Sequence, residues 1–579
     1  MEVLKKFKEP LFYLILSILT VPIINLFLSI IEKSIGLKIT SGTVFIIWII
    51  TNGIIILTIK NVILTKANAK IEVEGVNLKK KDGTFGTADW GTRDEIEEYL
   101  SIGKRDGIIL GQTDDGKLIT LPLNTYLNKN IAVFGASGSK KSRGFVIPNI
   151  IELAQEQLQS VNGREMSMVI TDPKGELYRK TGKYLEEEKG YDVKVFNLVS
   201  PEYSNGSRFI GFVEDETDAQ IFSQIVIEGT QLDRKSGGDE FWNRGEQNLL
   251  KALLLYTINY VEKEEERNMG FIYDCLASGN IKSIDNLFYN TEGPTRLAYN
   301  IYAQATDIVK QSIVTGLATR LQIFQTDKIR NITNKDEINF ESIGKKKTCV
   351  FVVTSDTNST FDFLSTLFFS FLFIKLIKLA DSMPDGKLPV ETTLLLEEFT
   401  NIGRLLDVEK KISTTRSRLL NIFVIFQNIA QLKNRYDNDV WQEILGNMDT
   451  KICMGCGDIL TAEYISEYLG VATVETNAVR KEAGFDGNFT YGMENISTSK
   501  RNLMNPDELL KMGHDIEIIM ERSKKPFMCK KCDYTNHPEA NKLKDITQEE
   551  LKKKFKENIE QNSKKFKQKK KVKYSFKDF

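Results

Sequence analysis

The segment that most restricts the fold of this 579-residue chain is an apolar run, Ile131–Phe134, that leads directly into a glycine-rich octapeptide, GASGSKKS. Glycines let backbone N–H groups curl around phosphate, a lysine reaches the β- and γ-phosphates, and a serine hydroxyl holds Mg²⁺. A helical pattern follows the octapeptide, and the helix dipole adds to such an anion site. This order of strand, loop and helix predicts an α/β P-loop domain that binds ATP with Mg²⁺.

The octapeptide matches a phosphate-binding loop at every position but one. Lys141 stands where the lysine reaches phosphate, and Ser142 stands where the hydroxyl meets Mg²⁺. The usual glycine before that lysine is replaced by Lys140, whose side chain must point outward if the backbone is to pass close to phosphate. A strand–helix turn without a ligand is the alternative. We predict nucleotide contacts along the whole loop: Gly135, Ala136, Ser137, Gly138, Ser139, Lys140, Lys141 and Ser142.

Two adjacent carboxylates, Glu397 and Glu398, follow a second apolar strand, Thr393–Leu396. In P-loop ATPases the first such acid orders the Mg²⁺ shell, and the second polarises the attacking water. We assign these roles to Glu397 and Glu398 in that order, although aspartate is more usual at the first position. An apolar strand before two acids is common by chance, so the pair gains weight only beside the phosphate loop.

A third group comprises Arg416, Arg418 and Gln427, around the strand Ile422–Phe426. Gln427 would stand at the carboxyl end of this strand, where it could sense the γ-phosphate. Arg416 or Arg418 could reach the site of a neighbouring subunit as an arginine finger. On spacing alone, surface arginines and a strand-capping glutamine fit the pattern equally well.

Short apolar runs separated by helical patterns predict a parallel sheet with helices on both faces. The long interval between the third and fourth runs exceeds a simple crossover and predicts an inserted all-α domain at 212–340, with helices at Phe241–Tyr260 and Ile308–Gln325. The nucleotide-binding domain then comprises 71–211 and 341–540. The predicted strands are Ile131–Phe134, Ser167–Thr171, Val193–Phe196, Cys349–Val353, Thr393–Leu396, Ile422–Phe426 and Lys451–Cys456.

Two uncharged runs, Leu11–Ile31 and Ile39–Ile59, each have the length of a membrane-crossing helix. They predict a membrane anchor at 1–70 with two spans, and the flanking lysines place both termini in the cytoplasm. A cleaved signal peptide is the alternative, but no small-residue cleavage site follows the first run. A third apolar stretch, Leu364–Ala380, carries two lysines and predicts a buried core helix instead.

Basic residues are concentrated at the C-terminal end of the chain. The chain has 78 basic and 78 acidic residues, but residues 551–579 contain twelve lysines and three acids. We therefore predict a basic, disordered tail at 541–579, which could bind DNA or anionic lipid.

Two C-x₂-C pairs begin at Cys453 and Cys529, and their four thiolates could form a structural zinc site. Since strand alternation would point Cys453 and Cys456 to opposite faces, we do not include zinc among the predicted sites.

With these parts in order, the chain resembles the coupling-protein ATPases of type IV secretion and conjugation, the TraG/TraD-like family. The resemblance covers roughly residues 10–540, and it rests on several segments jointly because each alone is unspecific. They are GTADWGTRDEI (86–96), SRGFVIPNI (142–150), TDPKGELY (171–178), FW (241–242), LLLEEFTNIG (394–403), FQNIAQL (426–432) and YISEYLG (464–470).

This resemblance implies a RecA-like P-loop domain in a homo-hexameric ring at the cell membrane. The all-α domain would engage a relaxase, and the ring would use ATP to deliver single-stranded DNA with that relaxase to the subunits of a type IV secretion channel. Lys141 and Ser142 would take the P-loop roles, Glu398 the water-activating role and Gln427 that of the motif glutamine. Lys140 and Glu397 depart from the family pattern and could slow hydrolysis.

Two other functions fit the same residues. One is a membrane-anchored translocase of duplex DNA, which would usually have more spans and a winged-helix end. The other is a nucleotide-gated adaptor that docks protein substrates with little ATP turnover, which the altered loop at Lys140 would allow. A measurement of ATP hydrolysis by the protein distinguishes the two DNA-moving ATPases, the coupling protein and the duplex translocase, from the adaptor.

Overall fold

The computed structural model describes residues 83–230, 240–278, 280–355, 361–483 and 489–560, with Asn77–Leu78 and scattered positions between 22 and 53. The predicted spans at 11–31 and 39–59 therefore lie largely outside the described residues. Within the described residues one helix, Asp362–Ser382, has the length and apolarity to cross a membrane. Its most apolar stretch of 18 residues is 83% buried inside the protein. The predicted core helix at Leu364–Ala380 is confirmed.

The chain divides into two compact units, residues 1–85 with 473–500 and residues 86–472 with 501–579. The first contains a three-stranded sheet in the order β1-β12-β13. The second contains a twelve-stranded sheet in the order β2-β4-β3-β15-β14-β11-β5-β10-β9-β6-β8-β7. The strands are β1 Asn77–Leu78, β2 Ser101–Ile102, β3 Gly107–Gln112, β4 Leu118–Pro122, β5 Ile131–Phe134, β6 Met166–Thr171, β7 Asp192–Asn197, β8 Thr348–Val353, β9 Glu391–Leu396, β10 Leu420–Phe426, β11 Thr450–Cys453, β12 Val471–Ala483, β13 Phe489–Asn502, β14 Ile516–Glu521 and β15 Phe527–Lys530.

Seven neighbouring strands, from β11 to β7 in the sheet order, are parallel. All seven were predicted. Ile131–Phe134 has the predicted bounds, five strands begin one or two residues before the predicted start, and the strand predicted at Lys451–Cys456 ends three residues early. β11 ends at Cys453 because the chain turns at Gly455, whose φ is +131°. This turn brings the Cys453 and Cys456 Sγ atoms to 3.7 Å, so the prediction that they face opposite ways is wrong. Within the described residues no group of three or more His, Cys, Asp and Glu side chains could hold a metal ion.

Alternate residues of each parallel strand face the two sides of the sheet. On β5, Ala132 and Phe134 belong to one buried apolar cluster, and Ile131 and Val133 belong to the other. Because both faces are covered, these strands read as continuous apolar runs, which is typical of a parallel sheet between helices. Five more strands extend the sheet beyond β11, and each is antiparallel to its neighbour: β14, β15, β3, β4 and β2.

The described chain between β7 and β8 is helical, in agreement with the predicted all-α segment. Its buried apolar side chains belong to the same cluster as those on one face of the parallel strands.

The α-helices of residues 83–560, where the structure describes them, are numbered in chain order. They are α1 Arg93–Glu97, α2 Ile147–Leu153, α3 Glu156–Asn162, α4 Glu176–Lys183, α5 Glu216–Gly229, α6 Glu240–Tyr260, α7 Met269–Ala277, α8 Ile281–Leu287, α9 Gly293–Ala303, α10 Asp307–Arg320, α11 Asp327–Asn334, α12 Phe340–Lys345, α13 Asp362–Ser382, α14 Val408–Thr415, α15 Ile429–Arg435, α16 Val440–Gly446, α17 Ile459–Leu469, α18 Pro506–Leu510 and α19 Gln548–Lys554.

The prediction of a disordered tail from residue 541 is wrong for residues 541–560. Helix α19 begins with a capping box, in which Thr547 and Glu550 satisfy each other's backbone N–H groups. Leu551 and Phe555 lie one turn apart and are both buried against the cluster on the second face of the sheet. These two apolar side chains anchor the segment to the protein, although its many lysines predict a solvent-exposed segment. The lysine-rich residues 561–579 lie outside the described part of the chain.

Candidate functional site

The carboxyl ends of β5, β6, β9 and β10 meet at one edge of the sheet. Phe134 pairs with Phe426, Val424 with Leu396, and Leu395 with Ile170, so the loops that follow these strands are neighbours. A cavity of 1040 Å³ lies at this edge. It is lined by Ser137–Arg143 from the predicted phosphate loop, by Asp172, Glu397, Glu398 and Gln427 from strand ends, and by Tyr534, Asp545 and Ile546 from the C-terminal segment.

The loop Gly135–Ser142 has the backbone shape that an anion cradle requires. Gly138 has a φ of +78°, which a glycine adopts without steric cost. A Cβ on Gly135 would lie 2.8 Å from Lys141 Cγ, so a side chain there would fill the loop. Among the residues that the structure describes, the buried Ser139 hydroxyl has no hydrogen-bond partner. An unpaired buried hydroxyl is costly, and a phosphate oxygen at the loop would satisfy it.

Lys140 occupies the expected glycine position and adopts the left-handed backbone that this position demands, with a φ of +69°. Its side chain points away from the loop, as predicted, and its Nζ atom lies 2.6 Å from the exposed Asp515 carboxylate. The left-handed conformation costs an L-residue about 1–2 kcal/mol. The loop therefore keeps the glycine geometry at the expense of strain at Lys140.

Replacing Lys140 with glycine should stabilise the protein relative to the Lys140→Ala variant by about 1 kcal/mol. Both variants lose the ion pair with Asp515, which contributes little at the surface, so the difference between them reports the strain at φ +69°. Urea denaturation of both proteins measures this difference. If Lys140→Ala is as stable as Lys140→Gly, the backbone at this position is not strained.

Lys141 lies inside the loop with its side chain 7% exposed. Its ammonium group donates to Gly135 O at 2.6 Å and to Ala136 O at 3.3 Å, and it lies 3.8 Å from Glu398 Oε1. Burial lowers the pKa of Lys141, and the Glu398 and Glu397 carboxylates oppose that shift. Two backbone carbonyl oxygens hold this ammonium group at the loop. A bound phosphate could take their place as its hydrogen-bond partner.

Ser142 and Glu397 meet directly, since the Ser142 hydroxyl donates to Glu397 Oε1. Burial raises the pKa of Glu397 to about 7, against the lowering effect of the Ser142 hydrogen bond. Asp172 also raises the pKa of Glu397, and burial raises the pKa of Asp172 itself to about 6. A hydroxyl and buried carboxylates at a phosphate loop are the hard oxygen ligands that Mg²⁺ prefers, so the donor set fits this ion.

Glu398 is the first residue after Glu397, and it has a φ of +52°. Its Oε1 atom accepts a hydrogen bond of 3.1 Å from the Gln427 amide. The structure thus brings together the loop lysine and the predicted water-activating acid, and the predicted sensor glutamine is bonded to that acid. A left-handed backbone at a glutamate is a strained feature of the kind found at functional sites.

Arg416 is separated from these groups within its own chain. It precedes β10, whereas Gln427 follows β10, so the two lie at opposite ends of a seven-residue strand. Arg416 is exposed and donates to Tyr126 O, and Arg418 pairs with Asp381 at 2.7 Å. Neither arginine lines the cavity. A role in a neighbouring subunit stays a prediction for Arg416.

Asp172 is a site residue that sequence reasoning did not select. It directly follows β6, and its carboxylate accepts a hydrogen bond of 2.8 Å from Tyr178 N in α4. β6 pairs with β9, the strand that precedes Glu397. An acid at the carboxyl end of a buried strand was therefore the available signal, since neighbouring parallel strands end at the same edge.

A family model described as type IV secretory system conjugative DNA transfer matches residues 79–572. The protein VirD4 of Rhizobium radiobacter is 22% identical over 78% of this chain and 64% of its own length. The conjugal transfer protein TraG of Escherichia coli is 22% identical over 75% of this chain and 72% of its own length. The chain thus spans slightly less than two thirds of that VirD4 protein.

Solved structures of the plasmid coupling protein TrwB share the fold. Its complex with a non-hydrolysable ATP analogue has a TM-score of 0.54 and is 14% identical, covering 80% of this chain and 100% of that one. Its complex with ADP and Mg²⁺ has a TM-score of 0.53 and is 15% identical, covering 79% and 99%. The α/β architecture of this chain is therefore similar to that of TrwB.

Proposed function

This chain belongs to the family of type IV secretory system proteins for conjugative DNA transfer, and we propose that it is an ATP-driven coupling protein. It would recruit a relaxase bound to single-stranded DNA and deliver both to a type IV secretion channel. The observation that carries this proposal is the assembly of Lys141, Ser142, Glu397 and Glu398 around one phosphate loop in a chain of this family.

The proposed chemistry is hydrolysis of ATP. Lys141 would turn from the carbonyls of Gly135 and Ala136 to the phosphates, and Ser142 and Glu397 would hold the Mg²⁺ ion. When bound, Mg²⁺ neutralises charge on the phosphate oxygens. Glu398 orients the attacking water and accepts its proton. The hydrogen bond from Gln427 fixes the Glu398 carboxylate and lets Gln427 respond to loss of the γ-phosphate.

The proposed setting is a homo-hexamer at the cell membrane, anchored by two spans at about 11–31 and 39–59 with both termini in the cytoplasm. The exposed Arg416, whose side chain donates to the Tyr126 carbonyl, would then reach the site of a neighbouring subunit. The helices between β7 and β8 would engage the relaxase. Support for this setting comes from the family and from the two uncharged runs.

The first test is ATP turnover by the full-length protein in detergent. We expect single-stranded DNA to raise the rate several-fold and a duplex of equal length to raise it less. Deleting the gene from a donor cell should abolish transfer of the mobile element that carries it. A protein with no turnover under any DNA would instead be a nucleotide-gated adaptor. Processive movement on duplex DNA would identify a duplex translocase.

A further inference from the structure

The cavity at the phosphate loop has two chemically different ends. The first end carries the loop N–H groups, Lys141 and the carboxylates. Away from the loop, at the second end, the lining combines apolar and aromatic side chains with charged ones, and part of it comes from the C-terminal segment. The apolar and aromatic residues are Ile147, Leu177, Tyr534 and Ile546, and the charged residues include Arg143, Lys174, Glu176, Arg179, Lys180 and Asp545. A nucleotide has the same division, since its phosphates are charged and its base is flat and weakly polar.

Arg143 and Tyr534 form a fixed, layered surface at the second end. The Arg143 guanidinium makes two parallel hydrogen bonds of 3.0 Å with the Asp533 carboxylate. Its Cζ atom lies 5.0 Å above the centroid of the Tyr534 ring. The Lys180 ammonium lies 5.8 Å from the same ring and 2.9 Å from Asp545. Bidentate arginine–carboxylate pairs are geometrically specific, so the guanidinium plane is held over the Tyr534 ring before any ligand binds.

The position of this surface suits the far end of a nucleotide. Arg143 directly follows Ser142, the last residue of the phosphate loop. The Arg143 side chain is half exposed, and it lines the cavity together with Tyr534. A ligand held at the loop by its phosphates therefore has this surface as its next neighbour. Aromatic rings and guanidinium planes are the protein groups on which nucleic-acid bases stack.

We propose that Arg143 and Tyr534 form the platform for the purine base of the nucleotide, so that the C-terminal segment completes the ATP site. This inference rests on the proposed function and adds to it the group that recognises the base. The base stacks on the arginine–tyrosine surface while Lys141 and Ser142 hold the phosphates. Stacking on an aromatic side chain strengthens nucleotide binding by roughly ten- to one-hundredfold.

The C-terminal segment is held by contacts other than Tyr534, so this residue can be changed without releasing the segment. Leu551 and Phe555 are buried. Lys183 and Glu550 form an ion pair of 2.6 Å, and Ile546 N donates to Arg179 O at 2.8 Å. Loss of the Tyr534 ring should therefore affect the cavity more than it affects the fold.

The test compares full-length wild-type protein with Tyr534→Ala, Tyr534→Phe and a control, Tyr289→Ala, which removes a tyrosine that is 80% exposed. Dissociation constants are measured for ATP and for inorganic tripolyphosphate, both with Mg²⁺. Tyr534→Ala should weaken ATP binding about tenfold or more and leave tripolyphosphate binding unchanged. Tyr534→Phe and Tyr289→Ala should bind both ligands like the wild type, because stacking does not need the hydroxyl.

Each remaining outcome has a distinct meaning. If Tyr534→Ala binds ATP as tightly as the wild type, the base does not rest on Tyr534 and the inference is overturned. An equal loss of affinity for ATP and tripolyphosphate also overturns it, because the ring then supports the loop rather than the base. A wild-type protein that binds neither ligand contradicts the proposed function itself.

Discussion

Replacing Glu398 with glutamine should lower ATP turnover by roughly 100- to 10 000-fold while ATP affinity changes by less than about threefold. A positioned general base contributes a factor of this size, and glutamine preserves the shape of glutamate but cannot accept a proton. Glutamine can also keep a hydrogen bond with Gln427, which now lies 3.1 Å from Glu398 Oε1. The measurement is steady-state phosphate release beside a direct binding titration.

The matched control for this variant is Glu443→Gln, which changes an exposed glutamate in α16 that does not line the cavity. Its turnover should equal that of the wild type. If Glu398→Gln hydrolyses ATP at the wild-type rate, another group takes the proton from water. A variant that loses both binding and turnover would show that Glu398 supports the loop, since it lies 3.8 Å from Lys141 Nζ.

Replacing Lys141 with alanine should weaken ATP binding by roughly a hundredfold or more. Removing one partner of a buried, hydrogen-bonded charge pair typically costs about 2–5 kcal/mol, and the Lys141 side chain is 7% exposed beside the loop. Since the stabilisation by a ligand grows with the logarithm of its concentration over Kd, ATP should raise the melting temperature of this variant much less than that of the wild type. Calorimetric titration and thermal unfolding with and without ATP measure both effects.

Lys174→Ala is the control for charge alone, because Lys174 is an exposed lysine that lines the same cavity. We expect it to change ATP affinity by less than about fivefold. An equal loss of affinity in the two variants would indicate general electrostatic attraction to the cavity. Undiminished ATP binding by Lys141→Ala would place the phosphates somewhere other than the Gly135–Ser142 loop.

The parallel half of the sheet could be predicted because its strands are buried on both faces. Runs such as Thr348–Val353 and Leu420–Phe426 are apolar or β-branched at nearly every position. The candidate site followed from the same pattern, since polar groups at the ends of such strands must gather at one edge. Glu397, Glu398 and Gln427 were found in this way, and Asp172 satisfied the same rule without being selected.

The antiparallel strands and the C-terminal segment gave weaker local signals. β2 and β15 have two and four residues, too short for a periodic pattern, and β15 lies beside β3 through a pairing between positions 530 and 112. The apolar contribution of α19 consists of Leu551 and Phe555 among lysines. Average charge therefore suggested a solvated tail, although two buried side chains one turn apart suffice to dock it.

The contacts that support the phosphate loop also have a consequence for how the protein folds. The phosphate loop is supported on one side by Gly455 O, which accepts from Ala136 N at 3.2 Å, and on another by Lys531, which donates to Ser139 O at 3.0 Å. These contacts join parts of the chain that are hundreds of positions apart, and contacts of such high order form slowly. We therefore expect closure of the loop to be late in refolding and recovery of nucleotide binding to lag behind recovery of helical structure.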